Sequence, residues 1–126
     1  MQRMKITAGH QQVMPYSMLR DADQFIDFAR QLFHAEEQVR VLDADRKIEH
    51  SEIKIGDSMI LLAEATPTLI KPGALYIYVK DADQTYYDAL DAGSKSLMQP
   101  IDEDNGARSA GFEDPFGNTW WIATLN

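Results

Sequence analysis

The chain contains no cysteine, which excludes disulfides, a thiolate metal site and a cysteine nucleophile. It also lacks any run of basic residues: 12 Lys and Arg are scattered among 20 Asp and Glu, and the formal net charge is -8. A phosphate backbone or an anionic membrane surface is therefore an unsuitable partner. No stretch approaches the roughly 18 consecutive apolar residues of a spanning helix. Met1 to Ile6 has no apolar core of the kind a targeting segment carries. The expectation is a soluble, cytoplasmic protein with neither nucleic acid nor membrane as partner, and 126 residues suit a single domain spanning 1–126.

What the chain does have is a stretch that occurs twice. Arg20-Asp21-Ala22-Asp23-Gln24 and Lys80-Asp81-Ala82-Asp83-Gln84 are identical in their last four residues and basic at their first. Each follows an extended apolar run and opens an amphipathic helix. Asp21 and Asp81 suit the N-cap position, with Gln24 and Gln84 reaching back as in a capping box. The flanks repeat as well: Gly56-Asp57-Ser58-Met59-Ile60-Leu61 can be laid beside Gly117-Asn118-Thr119-Trp120-Trp121-Ile122, one residue out of register. The pattern predicts a tandem duplication of a β-α-β-β-β module, module one over about 13–64, a linker over about 65–73 and module two over about 74–125. Each half alone is too small to bury an adequate core, so the halves must pack together.

Residues 1–12 are polar and weakly patterned and read as a flexible or edge segment. Strands are expected over 13–20, 37–43, 48–55, 58–63, 75–79, 95–101, 108–112 and 119–124, from alternation and from the turn residues between them. Helix one is expected over Ala22–His34, with Phe25, Phe28, Ala29, Leu32 and Phe33 on one stripe. Helix two is expected over Ala82–Ala92, burying Tyr86, Ala89 and Leu90 and stopping at Gly93. Asp114-Pro115-Phe116-Gly117 places Asp, Pro and Gly where a type I turn wants them.

With Asp114-Pro115-Phe116-Gly117-Asn118-Thr119-Trp120, Gly56-Asp57-Ser58 and the two strand-Asp-Ala-Asp-helix junctions, the chain resembles the vicinal oxygen chelate superfamily of glyoxalases, bleomycin-resistance proteins and extradiol dioxygenases, in particular its PhnB-like branch. The resemblance covers about residues 13–125. It implies an α+β fold of two βαβββ modules, whose eight strands form incurved mixed sheets around a central pocket with the helices outside, and commonly a homodimer. The family's metalloenzymes hold a divalent ion with one His or Glu from each of four strands. By counting from each strand-end Asp and each turn glycine, those positions fall on Met14, Ala74, Ile60 and Trp121. None offers an imidazole nitrogen or a carboxylate oxygen, and the Met14 thioether is too soft for the metals concerned. No metal and no cofactor is expected.

If those four positions mark the pocket face, alternation adds Tyr16, Met18, Leu62, Glu64, Tyr76, Tyr78 and Ala123 to it. Aromatic and methionine-rich walls suit a flat or apolar organic ligand, although the same side chains could simply fill the hollow. His50 and Glu52 share a strand face and could serve as metal ligands, as an acid–base pair, as ligand contacts or as a solvated pair. Arg108 could meet an anionic ligand group or pair with Asp102, Glu103 or Asp104. Glu64 could face a cationic ligand or be the solvated end of its strand. His10 and His34, without a partner pattern, read as surface residues.

Three functions compete on this reading. One is metal-independent binding of a small aromatic or cationic organic molecule, resembling the sequestering resistance proteins, with no catalytic residue. The second is a glyoxalase-like lyase or a dioxygenase using an atypical metal site built from His50, Glu52 and Glu64, and the third is a dimeric interaction module with no ligand. The metal positions favour binding over catalysis.

Overall fold

A computed structural model describes residues 4–125. The first three residues of the segment expected to be flexible, and residue 126, lie outside the described residues. Eight strands and two helices follow in the order β1 Tyr16–Leu19, α1 Ala22–Phe33, β2 Glu36–Leu42, β3 Ile48–Ile55, β4 Ser58–Glu64, β5 Ala74–Tyr78, α2 Ala82–Asp91, β6 Lys95–Asp102, β7 Ala107–Glu113 and β8 Thr119–Leu125. They form two four-stranded mixed sheets, β1-β4-β3-β2 and β5-β8-β7-β6, so each βαβββ module makes its own sheet and the fold is α+β. In each sheet the first strand of the module pairs parallel to the last, and the remaining neighbours are antiparallel.

The duplication is visible in the pairing. Tyr16 pairs with Leu61 and Tyr76 with Trp121, which keeps the offset of the Asp-Ala-Asp-Gln repeat. The odd residue is taken up in the turn of the final hairpin, because Ile53 pairs with Ile60 whereas Phe112 pairs with Trp120. Leu61, not Ile60, is therefore the structural counterpart of Trp121.

Each sheet has one face covered by a helix and one open. On the covered side a single core holds Leu19, Phe25, Ile26, Phe28, Phe33, Ile53, Ile60 and Leu62 of module one with Tyr86, Ala110, Phe112, Trp120 and Ile122 of module two. Aromatic contacts stitch the halves together: Phe25 and Phe28 meet the Phe116 ring edge-on at 5.6 and 5.8 Å, and Phe33 lies 4.5 Å from Trp120. Such pairs contribute about 0.5–1.5 kcal/mol each beyond area burial.

The two helix starts, identical in sequence, are capped differently. Asp81 is extended and its carboxylate accepts from the Gln84 amide, as a cap residue should. Asp21 instead sits in the left-handed region at φ 57° with no side-chain cap bond, so the cap expected there does not form. Its place is taken by Glu64, whose two oxygens accept from the Asp21 and Ala22 amides at 3.1 and 3.0 Å. In module two the corresponding residue is Thr124, whose hydroxyl accepts from Ala82 alone. Neither glutamine closes a capping box, and Gln84 donates to Asp88 instead.

In the second final turn Asp114 is buried and gathers the Phe116 and Asn118 amides, the Asn118 side chain and the Trp120 indole N–H. Burial pushes its carboxyl pKa up, against the pull of those four donors. Asn118 in turn accepts from the Gly73 amide and so anchors the linker.

Candidate functional site

Strand alternation and the observed registers decide which expected site residues share the open faces. On sheet one, Tyr16, Leu61 and Glu52 form one row across β1, β4 and β3. Met18 pairs with Ala63, and the ring of His50 meets that of Tyr16 at 6.0 Å, so these residues stand on the same face. On sheet two the row is Tyr76, Trp121, Gly111 and Met98, and Tyr78 pairs with Ala123 beside it. Tyr16, Met18, His50 and Glu52 are thus brought together on one sheet, and Tyr76, Tyr78 and Trp121 on the other.

Three expected residues lie elsewhere. Leu62 is fully buried in the shared core on the helix side of β4, because the register places Leu61 and Ala63 on the open face. Glu64 shares that helix side and is engaged as the α1 cap. Arg108 also points to the helix side of β7, where its guanidinium bonds both oxygens of Asp83 in α2 at 3.0 and 3.1 Å and Asp102 at 3.1 Å. The ion pair expected with Asp102 forms, and no pocket-side role is left for the residue.

The aromatic row on sheet two is well exposed: Tyr76 58%, Tyr78 65% and Trp121 37%. The Tyr76 and Tyr78 rings meet edge to face at 5.5 Å. Beside them is a depression of about 490 Å³ lined by Tyr76, Trp121, Met98 and Ser109 and rimmed by Glu103 and Asp104. Stacking faces under an acidic rim are a setting for a flat cation, through cation–π attraction and long-range charge.

Sheet one carries a polar cluster. Glu52 accepts from both histidines, His10 Nε2 at 2.6 Å on one oxygen and His50 Nε2 at 2.8 Å on the other. These hydrogen bonds, from His10 first and then His50, hold the Glu52 carboxyl below its usual range. His10 is therefore not a surface residue. It arrives on the segment before β1, which crosses the sheet with Gln11 accepting from the Met59 amide. No local sequence signal marks His10, whose partner is 42 residues away. Among the described residues, no group of three or more His, Cys, Asp or Glu is arranged to hold a metal ion. Leu61, the counterpart of Trp121 by pairing, fits a metal no better than Ile60 does.

Comparison with known proteins agrees with this geometry. Residues 17–122 match the family model described as the Glyoxalase/Bleomycin resistance protein/Dioxygenase superfamily. An uncharacterized protein of Mycobacterium bovis is 30% identical over 118 residues, covering 84% of this chain and 78% of the relative. Among solved structures, TioX from Micromonospora superposes with a TM-score of 0.70 at 16% identity, covering 92% of this chain and 97% of that one. The PhnB protein from Bacillus cereus gives 0.77 at 12% identity, with 91% and 100% covered. The fosfomycin resistance protein FosX from Mesorhizobium loti gives 0.65 at 17% identity, with 92% of each chain covered. At these identities the superpositions speak for the fold alone.

Proposed function

The chain belongs to the glyoxalase, bleomycin resistance protein and dioxygenase superfamily, and from that premise we propose that it is a metal-independent binder of small aromatic or cationic organic molecules, acting as a homodimer. The observation that carries this reading is the row Tyr76–Trp121–Gly111, an exposed aromatic platform with Glu103 and Asp104 at its rim. A sequestering protein needs affinity and no reactive group, and the row supplies stacking area and a favourable field. The donor set at the family's metal positions, Met14, Ala74, Leu61 and Trp121, does not fit a divalent ion.

The open faces also support a second copy of the chain as partner. Tyr16, Val39 and Val41 on sheet one and Tyr76, Tyr78 and Trp121 on sheet two are exposed, and apolar patches of this kind mark contact surfaces.

Thermal unfolding of chelator-treated protein, titrated first with divalent cations and then with aromatic amines and quaternary ammonium compounds, tests the proposal. A compound at 100 times its Kd adds about 2.7 kcal/mol. Stabilisation by compounds and not by cations is expected. Stabilisation by one cation alone would instead favour a metalloenzyme.

A further inference from the structure

The His10–Glu52–His50 cluster lies on the open face of sheet one, whereas the aromatic row belongs to sheet two, and its chemistry is fixed by its hydrogen bonds. An ionised carboxylate only accepts, so each imidazole must carry its proton on Nε2 and donate to Glu52. In a neutral ring the other nitrogen, Nδ1, is then a bare acceptor. Neither Nδ1 has a partner among the described residues. The cluster is neither sealed nor fully solvated: the side chains of His10, Glu52 and His50 are 15%, 12% and 30% exposed. A depression of about 540 Å³ lined by Lys5, Thr7, His10, Gln11 and Met14 adjoins it on the His10 side. With both rings neutral the cluster bears one negative charge and keeps two unshared nitrogen acceptors.

We propose that this cluster is a second binding site, recognising the N–H donors of a small organic cation such as an amidinium, a guanidinium or a protonated amine. The two Nδ1 acceptors receive N–H groups while the Glu52 charge attracts the cation, and the Tyr16 ring beside His50 offers an apolar edge. The aromatic row accepts a cation by its charge and its flat face, whereas this site selects for N–H. Lys54 stands further along β3, Lys5 lies on the segment that carries His10, and β1, β2 and β4 contribute Tyr16, Met18, Val39, Val41, Met59, Leu61 and Ala63.

Two aromatic cations separate the possibilities: benzamidinium, which carries N–H donors, and phenyltrimethylammonium, which carries none. Long-range ¹H–¹⁵N spectra at about pH 8 should show both rings as the Nε2–H tautomer. Benzamidinium should then shift the Nδ1 resonances of His10 and His50, and phenyltrimethylammonium should leave them in place. Glu52→Gln should weaken benzamidinium binding about tenfold. His50→Phe, which keeps the ring shape without its nitrogens, should give a similar loss and serves if Glu52→Gln does not fold. Equal shifts with both cations, no shift with benzamidinium, or unchanged affinity in His50→Phe would each overturn the proposal. Quenching of Trp121 without any histidine shift would overturn this site alone and leave the aromatic row standing.

Discussion

The six-membered ring of Trp121 occupies the space directly above Gly111, where a Cβ would overlap its Cζ3 and Cε3 atoms. The glycine on β7 is what allows the indole on β8 to lie against its own sheet and leave a shallow platform. Gly111→Ala should therefore lift Trp121, at a cost of about 1–3 kcal/mol from overpacking. Urea unfolding and a shifted tryptophan emission would register this together, and an unchanged emission spectrum would contradict the account.

The α1 cap makes an unusual pair of expectations. Glu64→Ala should cost about 1 kcal/mol, because the Asp21 and Ala22 amides lose their acceptor. Asp21→Gly should be neutral or stabilising, since Asp21 makes no cap bond and its φ of 57° suits glycine. Chemical denaturation of the two variants would test both. A large loss in Asp21→Gly would mean that its side chain does more than the geometry indicates.

Glu52 makes stability depend on pH with a definite sign. Its carboxyl is held low by His10 and His50 in the folded chain, so its contribution is present above the ordinary carboxylate pKa and is lost as pH falls through the lowered folded value. Asp114 acts in the opposite sense, because its folded pKa is raised. Its contribution is present below the ordinary value and lost as pH rises through the folded one. Acid unfolding should accordingly be shallower below about pH 4.5 in Glu52→Gln than in the unaltered protein. Superimposable pH profiles would show that the His–Glu–His bonds do not persist in solution.

If a second copy covers the open faces, a charge placed there should separate the copies. Val41 pairs with His50 at the exposed side of β2 and is 43% exposed. Val41→Glu should weaken self-association about tenfold or more by burying an unpaired carboxylate, as read by sedimentation velocity across a dilution series. A chain that sediments as a monomer before mutation would contradict the dimer.

Much of this was legible in the sequence. The Asp-Ala-Asp-Gln repeat and the hairpin turns gave the order of the elements, and Ile48–Ile55 has the bounds that alternation predicts. Tyr16, Tyr76, Tyr78 and Trp121 share open faces, as period-two alternation requires. The misreadings have specific physical causes. Counting from Gly56 as if its turn matched the one at Gly117 puts Leu62 and Glu64 on the pocket face, but the second turn is one residue longer, and a slip of one inverts every side chain. Arg108 makes the expected pair with Asp102 and adds Asp83, a partner from α2 that no local pattern names, so it stands on the helix side and not in the pocket. His10 was unreadable for the same reason, since its contact with Glu52 is made only after the chain has folded. The cap at Asp21 differs from its copy at Asp81 because the distant residue is Glu64 in one module and Thr124 in the other.

Binding of a cationic aromatic to the open aromatic row without a metal is tested by the intrinsic fluorescence of chelator-treated protein titrated with phenyltrimethylammonium, with Trp121→Phe as control. Trp121 is partly exposed whereas Trp120 is buried and bonded to Asp114, so the account predicts saturable quenching that disappears in Trp121→Phe. Quenching that survives in the variant, or that appears only after a divalent cation is restored, would contradict it.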